Sequence, residues 1–274
     1  MHDYANPPGG LPPQTALMTG RAVFNAAYAL IPGGTMRDIT ASRFPHYDRT
    51  RGWIIARPMT GFAETFSHYI METEPGGGSP APEPDPSAEA ALFVTGGTLD
   101  VQIGGQSHSL GPGGFAYVPP GSAWTLANPH EAIARYHLIR KRYQPADGLA
   151  PPDPVVARDA DIAPIAMPDT EGRWATTRFM DPDDMRHDMA ITIVTLQPGG
   201  VIPFEETHVM EHGLYVLQGK GVYKLNTDWH EVEAGDYMWL RAFCPQACYA
   251  GGDVPFRYLL YKDVNRHPSL RPGA

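Results

Sequence analysis

The sequence has few cysteines, no long hydrophobic run and no large cluster of basic residues. Its two cysteines, Cys244 and Cys248, sit four positions apart among 274 residues and form no disulfide framework for a chain of this size. A single C-x3-C motif also lacks the second pair of a thiolate metal site, so we interpret both residues as unpaired thiols. This cysteine usage fits a reducing compartment.

Charge and hydropathy disfavour nucleic acid and membranes as partners. There are 21 Lys and Arg residues against 30 Asp and Glu residues, a net charge of -9, and the longest basic run covers only residues 140–142. No apolar run approaches the roughly 20 residues of a membrane helix, and the N-terminus lacks a basic region followed by an apolar one. We expect a cytoplasmic protein that acts on a small molecule.

Glycine and proline, at 29 residues each, interrupt short apolar runs such as residues 91–94 and 214–217. Runs of this length bounded by turn residues are typical of strands, so the sequence predicts an all-β protein. Residues 1–20 are predicted to form an N-terminal arm. A Pro- and Asp-rich connection at 146–184 separates a first domain, 21–145, from a second domain, 185–274.

The two predicted domains are copies of each other at an offset of 122 residues. Glycines match without a gap, as do the apolar segments 92–94 with 214–216 and 116–118 with 238–240. The matched glycine pairs are Gly78 with Gly200, Gly97 with Gly219, and Gly113 with Gly235. Short alternating strands that hide their edges favour closed antiparallel barrels, and a double jelly roll fits this pattern.

The second copy contains a metal-ligand pattern that resembles the two motifs of the cupin superfamily. Between Gly200 and Gly219 it places Glu206, His208 and His212, and after Gly235 it places Gln246. Residues two apart on a strand point to the same face, so we expect Glu206 and His208 to face the barrel interior together. We expect His212 on or just before the next strand and Gln246 on a later one. Glu205 and Glu211 flank ligands and are predicted to point outward.

One carboxylate, two imidazoles and one amide oxygen suit Mn(II) or Fe(II), and this reasoning leaves Zn(II) open. Two histidines four apart occur by chance in many chains, but here all four candidates fall at ligand positions of an independently detected repeat. The same offsets in the first copy give residues that bind no metal, namely Pro84, Pro86, Ala90 and Trp124. We therefore predict a bicupin with one metal-binding barrel and one scaffold barrel.

Three stretches make the resemblance more specific, namely residues 206–213, 219–223 and the run YKDVNR at 261–266. With residues 119–122 and 141–143 they resemble the (S)-ureidoglycine aminohydrolases over nearly the whole chain. The resemblance implies hydrolysis of (S)-ureidoglycine to (S)-ureidoglycolate and ammonia in allantoin breakdown, with Mn(II) as the metal. It implies Glu206, His208, His212 and Gln246 as ligands. The implied substrate contacts are Tyr223, Tyr258 and Lys262.

Release of ammonia requires proton transfer, and we predict Lys262 and Glu206 as the catalytic residues. Whether Lys262 exchanges protons or only pairs with the substrate carboxylate is left open by the sequence. The alternatives are another metal-dependent cupin enzyme, an isomerase or dioxygenase acting on a small acid, and a non-catalytic bicupin that binds a small ligand. Since cupins commonly associate through barrel edges, we expect a homo-oligomer.

Overall fold

The structure is a computed structural model that describes residues 3–6, 20–36, 42, 44–263 and 266. Strands dominate it, interrupted by short 3-10 turns at Gly33–Met36, Pro58–Thr60 and Asp159–Asp161. The strands are β1 Val23–Phe24, β2 Tyr28–Ile31, β3 Asp48–Ala56, β4 Phe66–Ser79, β5 Ala88–Gly96, β6 Leu99–Ile103, β7 Gln106–Leu110, β8 Gly114–Val118, β9 Trp124–Ala127, β10 Ala134–Arg142, β11 Val155–Arg158, β12 Ile165–Ala166, β13 Trp174–Arg178, β14 Ala190–Leu196, β15 Val201–Glu206, β16 His212–Gln218, β17 Lys220–Leu225, β18 Asp228–Glu233, β19 Tyr237–Leu240, β20 Gln246–Ala250 and β21 Phe256–Lys262. The predicted all-β class is confirmed.

The strands form two antiparallel barrels. The first barrel is one sheet in the order β11-β8-β5-β10-β4-β9-β6-β7, with β3 added on β4. The second barrel joins an eight-stranded sheet, β1-β2-β19-β16-β21-β14-β13-β12, to a four-stranded sheet, β15-β20-β17-β18. No helix among the described residues has the length and hydropathy needed to cross a bilayer.

Three apolar clusters hold this arrangement together. One fills the first barrel around Leu92 and Leu126, and another fills the second barrel around Leu214 and Phe256. The third lies between the barrels, where the rings of Phe66 and Tyr261 stack at 3.9 Å. Each large side chain buried in this way contributes roughly 1.5–3 kcal/mol, so the two barrels share a core instead of being joined by a linker alone.

The offset of 122 residues is retained in three dimensions. Strands β5 to β10 correspond in order to β16 to β21, and β9 and β20 begin at positions that differ by 122. Gly97 and Gly219 both have positive φ, +67° and +74°. A Cβ atom would collide with the carbonyl oxygen of Ile133 at the first glycine and of Pro255 at the second, themselves 122 apart. The bicupin architecture is confirmed by this equivalence.

Strand pairing departs from the predicted domain limits in two places. Strand β2, which the sequence assigned to the first domain, pairs with β19 of the second barrel. Strands β11 and β13, within the predicted connection, pair with β8 of the first barrel and β14 of the second. Each of these strands covers a strand edge that would otherwise expose unpaired backbone groups. Local sequence composition carries no information about such pairing.

The predicted arm at residues 1–20 is described at residues 3–6 and at Gly20. There the Tyr4 hydroxyl donates to Asp159 Oδ2 over 2.6 Å, and the Tyr215 hydroxyl donates to the Ala5 carbonyl over 3.0 Å. Residues 7–19 and 267–274 lie outside the described residues, as do Val264 and Asn265 of the YKDVNR run. The described part of the arm is thus fastened against the barrels.

Candidate functional site

A cavity of about 480 Å³ opens into the second barrel. Volumes of this size hold small-molecule ligands. Six of the seven predicted site residues line it, namely Glu206, His208, Tyr223, Gln246, Tyr258 and Lys262. The seventh, His212, is buried behind this lining at 2% exposure. Residues separated by up to 56 positions in the chain therefore surround one space.

Strand register explains why these side chains share the inner face. Tyr258, Leu260 and Lys262 alternate along β21 with residues that face the other barrel. Lys262 is the cross-strand partner of His212 on β16, and Glu206 is the partner of Gln246. Directly paired residues have neighbouring side chains, so the fold brings predicted ligands from three strands together.

The side chains of Glu206 and His208 are close in space, but the prediction that both residues lie on one strand is wrong. Strand β15 ends at Glu206, and His208 lies in the following turn, where its carbonyl accepts the Phe243 amide over 2.7 Å. The turn still returns the imidazole to the carboxylate, with Nε2 of His208 at 3.4 Å from Oε2 of Glu206. The centroids of the His208 and His212 rings are 5.0 Å apart.

His212 has the chemistry of a cation ligand. The His212 Nε2 atom is buried without a hydrogen-bond partner, an arrangement that costs free energy unless a further group contacts it. Burial, with smaller contributions from Lys262 and His208, lowers the pKa of His212 well below its usual value, so the imidazole is neutral. A neutral imidazole is the form that binds metals.

The predicted ligands have the donor atoms that a divalent cation prefers, but their side chains do not form a closed coordination site. No three His, Cys, Asp or Glu side chains within the described part of the chain converge closely enough to hold a metal. The amide of Gln246 supplies an additional oxygen, whose Oε1 accepts the Tyr223 hydroxyl over 2.8 Å.

Burial favours the un-ionised forms of the two tyrosines and of the lysine. The rings of Tyr223 and Tyr258 meet edge to face at 6.0 Å, and burial raises the pKa of both hydroxyls well above 10. Burial lowers the pKa of the Lys262 ammonium, and the charge of Arg178 acts in the same direction while Glu206 opposes it. The cavity is therefore lined by two neutral hydroxyls, one of which already donates to Gln246, and by a lysine whose neutral form burial favours.

In the described part of the first barrel, the positions equivalent to the predicted ligands carry no metal donors. Pro84, Pro86, Ala90 and Trp124 occupy the positions equivalent to the four ligands. Arg140, at the position of Lys262, donates from its guanidinium to Glu83 Oε1 over 2.7 Å. The four equivalent positions line a smaller cavity of about 170 Å³, and the only charged side chains in its lining, among the described residues, are Glu83, which pairs with Arg140, and Asp85.

Several residues at the cavity were not predicted. Residues 179–189 are here called the wall segment, and most of them line one side of the cavity with Arg178 and Asp263. Arg178 falls in the predicted connection, at the end of β13 Trp174–Arg178, whose sequence WATTR lacks the regular alternation that would have identified a strand. The wall segment has no strand periodicity, because it is irregular backbone placed by contacts to the first barrel.

Glu211 departs from its predicted exposure. It points away from the barrel interior as expected, but the face it points to is covered by the first barrel and its exposure is 4%. Its carboxylate accepts the backbone amides of Glu64 and Thr65, at 2.9 and 2.6 Å, and the indole N–H of Trp239 at 2.9 Å. A residue next to a predicted ligand therefore joins the two barrels.

Sequence comparisons agree with this architecture. The cupin domain model matches twice, at residues 69–140 and 192–261, once in each barrel. The (S)-ureidoglycine aminohydrolase of Escherichia coli is 30% identical over 253 residues, which cover 91% of this chain and 94% of that protein. The Arabidopsis thaliana enzyme of the same name is 30% identical over 249 residues, covering 90% of this chain and 79% of the relative.

Solved structures extend the comparison. A glyoxylate-induced protein from Pseudomonas aeruginosa is 59% identical with a TM-score of 0.92, and 99% of each chain is covered. Protein Ylba from E. coli is 28% identical with a TM-score of 0.79, covering 94% of this chain and all of that one. Oxalate decarboxylase from Bacillus subtilis, at 14% identity and a TM-score of 0.58, shares the fold. The chain is a bicupin that belongs to the (S)-ureidoglycine aminohydrolase family.

Proposed function

We propose that this protein is a metal-dependent hydrolase that converts (S)-ureidoglycine to (S)-ureidoglycolate and ammonia in allantoin degradation. The main support is the grouping of Glu206, His208, Gln246 and Lys262 around one cavity. Relatives that carry this activity in their name match over nine-tenths of the chain. The reaction adds water at the carbon that bears the amine and breaks that carbon–nitrogen bond.

Mn(II) is the proposed metal, with Glu206, His208, His212 and Gln246 as its ligands. Mixed oxygen and imidazole donors suit this ion, and coordination would satisfy the buried, unpartnered Nε2 of His212. When bound, a divalent cation supplies a Lewis acid that polarises substrate atoms. The carboxylate of Glu206, next to His208, contributes the negative charge of the set.

Lys262 is proposed to move the proton that the reaction requires. Ammonia leaves a carbon readily only when its nitrogen is protonated, and the attacking water must lose a proton. Since burial lowers the pKa of Lys262, its amine can accept a proton at Nζ and return it to the leaving nitrogen. Tyr258, kept un-ionised by burial, donates its hydroxyl hydrogen to the substrate and orients it.

A different metal-cupin reaction, an isomerase or dioxygenase acting on a small acid, is the alternative enzyme function. A non-catalytic ligand-binding bicupin is the alternative outside enzymes. A dioxygenase consumes oxygen with its substrate, and a binding protein needs no metal for turnover. Homo-oligomeric assembly and a cytoplasmic location stay predictions from sequence, to be checked by light scattering and by fractionation.

The decisive experiment measures ammonia release from enzymatically generated (S)-ureidoglycine. Chelator-stripped protein, protein refilled with Mn(II) and a His208→Ala variant are compared, with a no-enzyme control because the substrate decays spontaneously. His108→Ala, on strand β7 of the first barrel, is the matched control. We expect fast release and a single S product only when both metal and His208 are present. Release at the spontaneous rate by metal-loaded protein contradicts the proposed substrate.

A further inference from the structure

Arg178 is a cation of the cavity that the predicted site does not use. It is the last residue of β13, where it pairs with Thr192 of β14, and Thr192 pairs with Leu260 of β21. All three residues line the cavity. Paired residues on adjacent strands share a face, so Arg178 lies on the same inner face as Leu260. Lys262, two residues after Leu260 on β21, lies on that face too.

The guanidinium of Arg178 is oriented but not neutralised. Its Nε donates to Thr176 Oγ1, two residues earlier on the same face, over 3.2 Å. Throughout the described ranges, no carboxylate forms an ion pair with it. Arginine stays charged in proteins, and its remaining N–H groups form a planar fork that matches a carboxylate. The cavity therefore contains a fixed positive charge with unused donors.

Two buried or partly buried acidic residues of the cavity pair with cations other than Arg178. Asp188 pairs with Lys141 at 3.1 Å, and Asp184 pairs with Arg186 at 2.8 Å. Burial raises the pKa of Asp263 to about 7, which weakens its negative charge at neutral pH. The remaining acids are Asp181 and Asp183, exposed in the wall segment, and Glu206, which is assigned to the metal.

We propose that Arg178 binds the carboxylate of the substrate and makes the cavity specific for ureido acids over neutral ureides. This inference rests on the proposed function and assigns a role that leaves Lys262 free for proton transfer. Methionine and leucine side chains surround the cavity, including Met180, Met189 and Leu214. An ion pair in such surroundings is less screened than one in water, so recognition of the carboxylate contributes strongly to affinity.

Two stable substrate analogues test this role without turnover. Hydantoate carries the ureido group and the carboxylate but no amine, and ureidoacetamide replaces its carboxylate by a neutral amide. Their dissociation constants are measured calorimetrically with Mn(II)-loaded wild type, Arg178→Gln, Arg178→Lys and Arg173→Gln. Arg173 is an exposed residue just before β13, paired with Glu171 at 3.4 Å, and serves as the matched control.

Arg178→Gln is expected to weaken hydantoate binding about 10- to 100-fold, the effect of losing a charge-assisted hydrogen bond. Its affinity for ureidoacetamide should stay within about twofold of wild type. Arg178→Lys keeps the positive charge but loses the paired N–H donors of the guanidinium. Its hydantoate affinity should lie between those of wild type and Arg178→Gln. With (S)-ureidoglycine, KM should rise by a larger factor than kcat falls. Arg173→Gln should resemble wild type in every measurement.

The proposal is overturned if wild type does not discriminate hydantoate from ureidoacetamide. It is also overturned if Arg178→Gln binds both analogues as wild type does, or loses both equally. Failure of the proposed function gives a different result. If hydantoate binds through Arg178 but no ammonia is released from (S)-ureidoglycine, the carboxylate site stands and the reaction is another one.

Discussion

At the scale of single residues, Tyr223 connects the cavity to the proposed ligand set. Its hydroxyl donates to Gln246 Oε1, and the side chain is fully buried at 1% exposure. The amide of glutamine can present either oxygen or nitrogen, and a donor on the oxygen decides which atom faces which neighbour. Groups that orient ligands in this way commonly affect metal affinity as much as some ligands do.

We expect Tyr223→Phe to weaken Mn(II) binding about 10- to 100-fold without unfolding the barrel. The substitution removes one hydroxyl and leaves the ring contact with Tyr258 in place. Titration of apoprotein with Mn(II), followed by electron paramagnetic resonance, measures the affinity. Tyr249→Phe, on the outer face of β20, is the matched control. Unchanged Mn(II) affinity in Tyr223→Phe would remove the tyrosine from the ligand network.

The two roles considered for Lys262 are separated by two substitutions. If Lys262 transfers protons, Lys262→Gln and Lys262→Arg should both lower kcat about 10²- to 10⁴-fold, because arginine does not release a proton. If Lys262 only pairs with the carboxylate, Lys262→Arg should keep most of the activity. Single-turnover ammonia release distinguishes the outcomes. Hydantoate affinity in the same variants reports whether binding was lost instead.

At the scale of elements, β4 and β10 are joined by a buried histidine pair. His68 Nε2 and His137 Nδ1 are 2.9 Å apart, and the rings contact Tyr237 and Tyr215 of the second barrel. Burial lowers the pKa of His68 well below 6.5 and that of His137 to about 3. Both imidazoles are therefore neutral in the folded protein at pH values where the unfolded chain takes up protons.

This pair should make the interface between the barrels sensitive to acid. A lowered pKa in the folded state contributes stability that is complete above pH 6.5 and is lost as the pH falls towards 3. Each histidine should cost about 1.4 kcal/mol of unfolding free energy per pH unit in that window. His137→Gln, which does not titrate, should reduce the slope between pH 6 and 4 by about that amount.

Urea unfolding at a series of pH values measures this slope. His108→Gln, a histidine on strand β7 outside the interface, controls for the substitution itself. An identical slope in wild type and His137→Gln would show that the buried pair does not contribute to acid sensitivity. The experiment needs no metal, since it concerns strands of the barrel without predicted ligands.

At the scale of the whole molecule, the first barrel holds the wall of the cavity in the second. Lys141 donates to the Asp188 carbonyl over 3.0 Å and pairs with its carboxylate, while the Gln144 amide donates to the same carboxylate over 2.6 Å. The ring of Phe179 stacks on Phe115 at 4.3 Å. The first barrel, which has no metal-binding residues at the positions equivalent to the predicted ligands, thus fixes both ends of the wall segment.

Lys141→Met should reduce the unfolding free energy by about 3–5 kcal/mol, because it leaves the fully buried Asp188 without its cation. Adding Asp188→Asn should recover part of that loss. Arg241→Met, which breaks an exposed pair with Glu64 between the same barrels, should cost about 1 kcal/mol or less. Urea unfolding compares the variants, and equal losses for Lys141→Met and Arg241→Met would contradict this account.

Much of the fold was predictable from the sequence because it repeats. The matched glycines and strand lengths identify two barrels, and the donors at Glu206, His208, His212 and Gln246 identify which barrel is different. The pairing of β2 with the second barrel and of β11 with the first was not predictable, since edge pairing depends on which edges meet. The burial of Glu211 was missed for the same reason, because alternation gives the face of a strand but not what covers it.

The sequence by itself determined the types of donor, their spacing and the absence of a second set in the first copy. Tertiary structure alone decided that the wall segment closes one side of the cavity and that Arg178 joins Lys262 on its inner face. The physical reason is the sequence separation of the contacts involved. Strand periodicity can be recognised within a few residues, whereas the contact between Lys141 and Asp188 spans 47 positions and forms only when both barrels have packed.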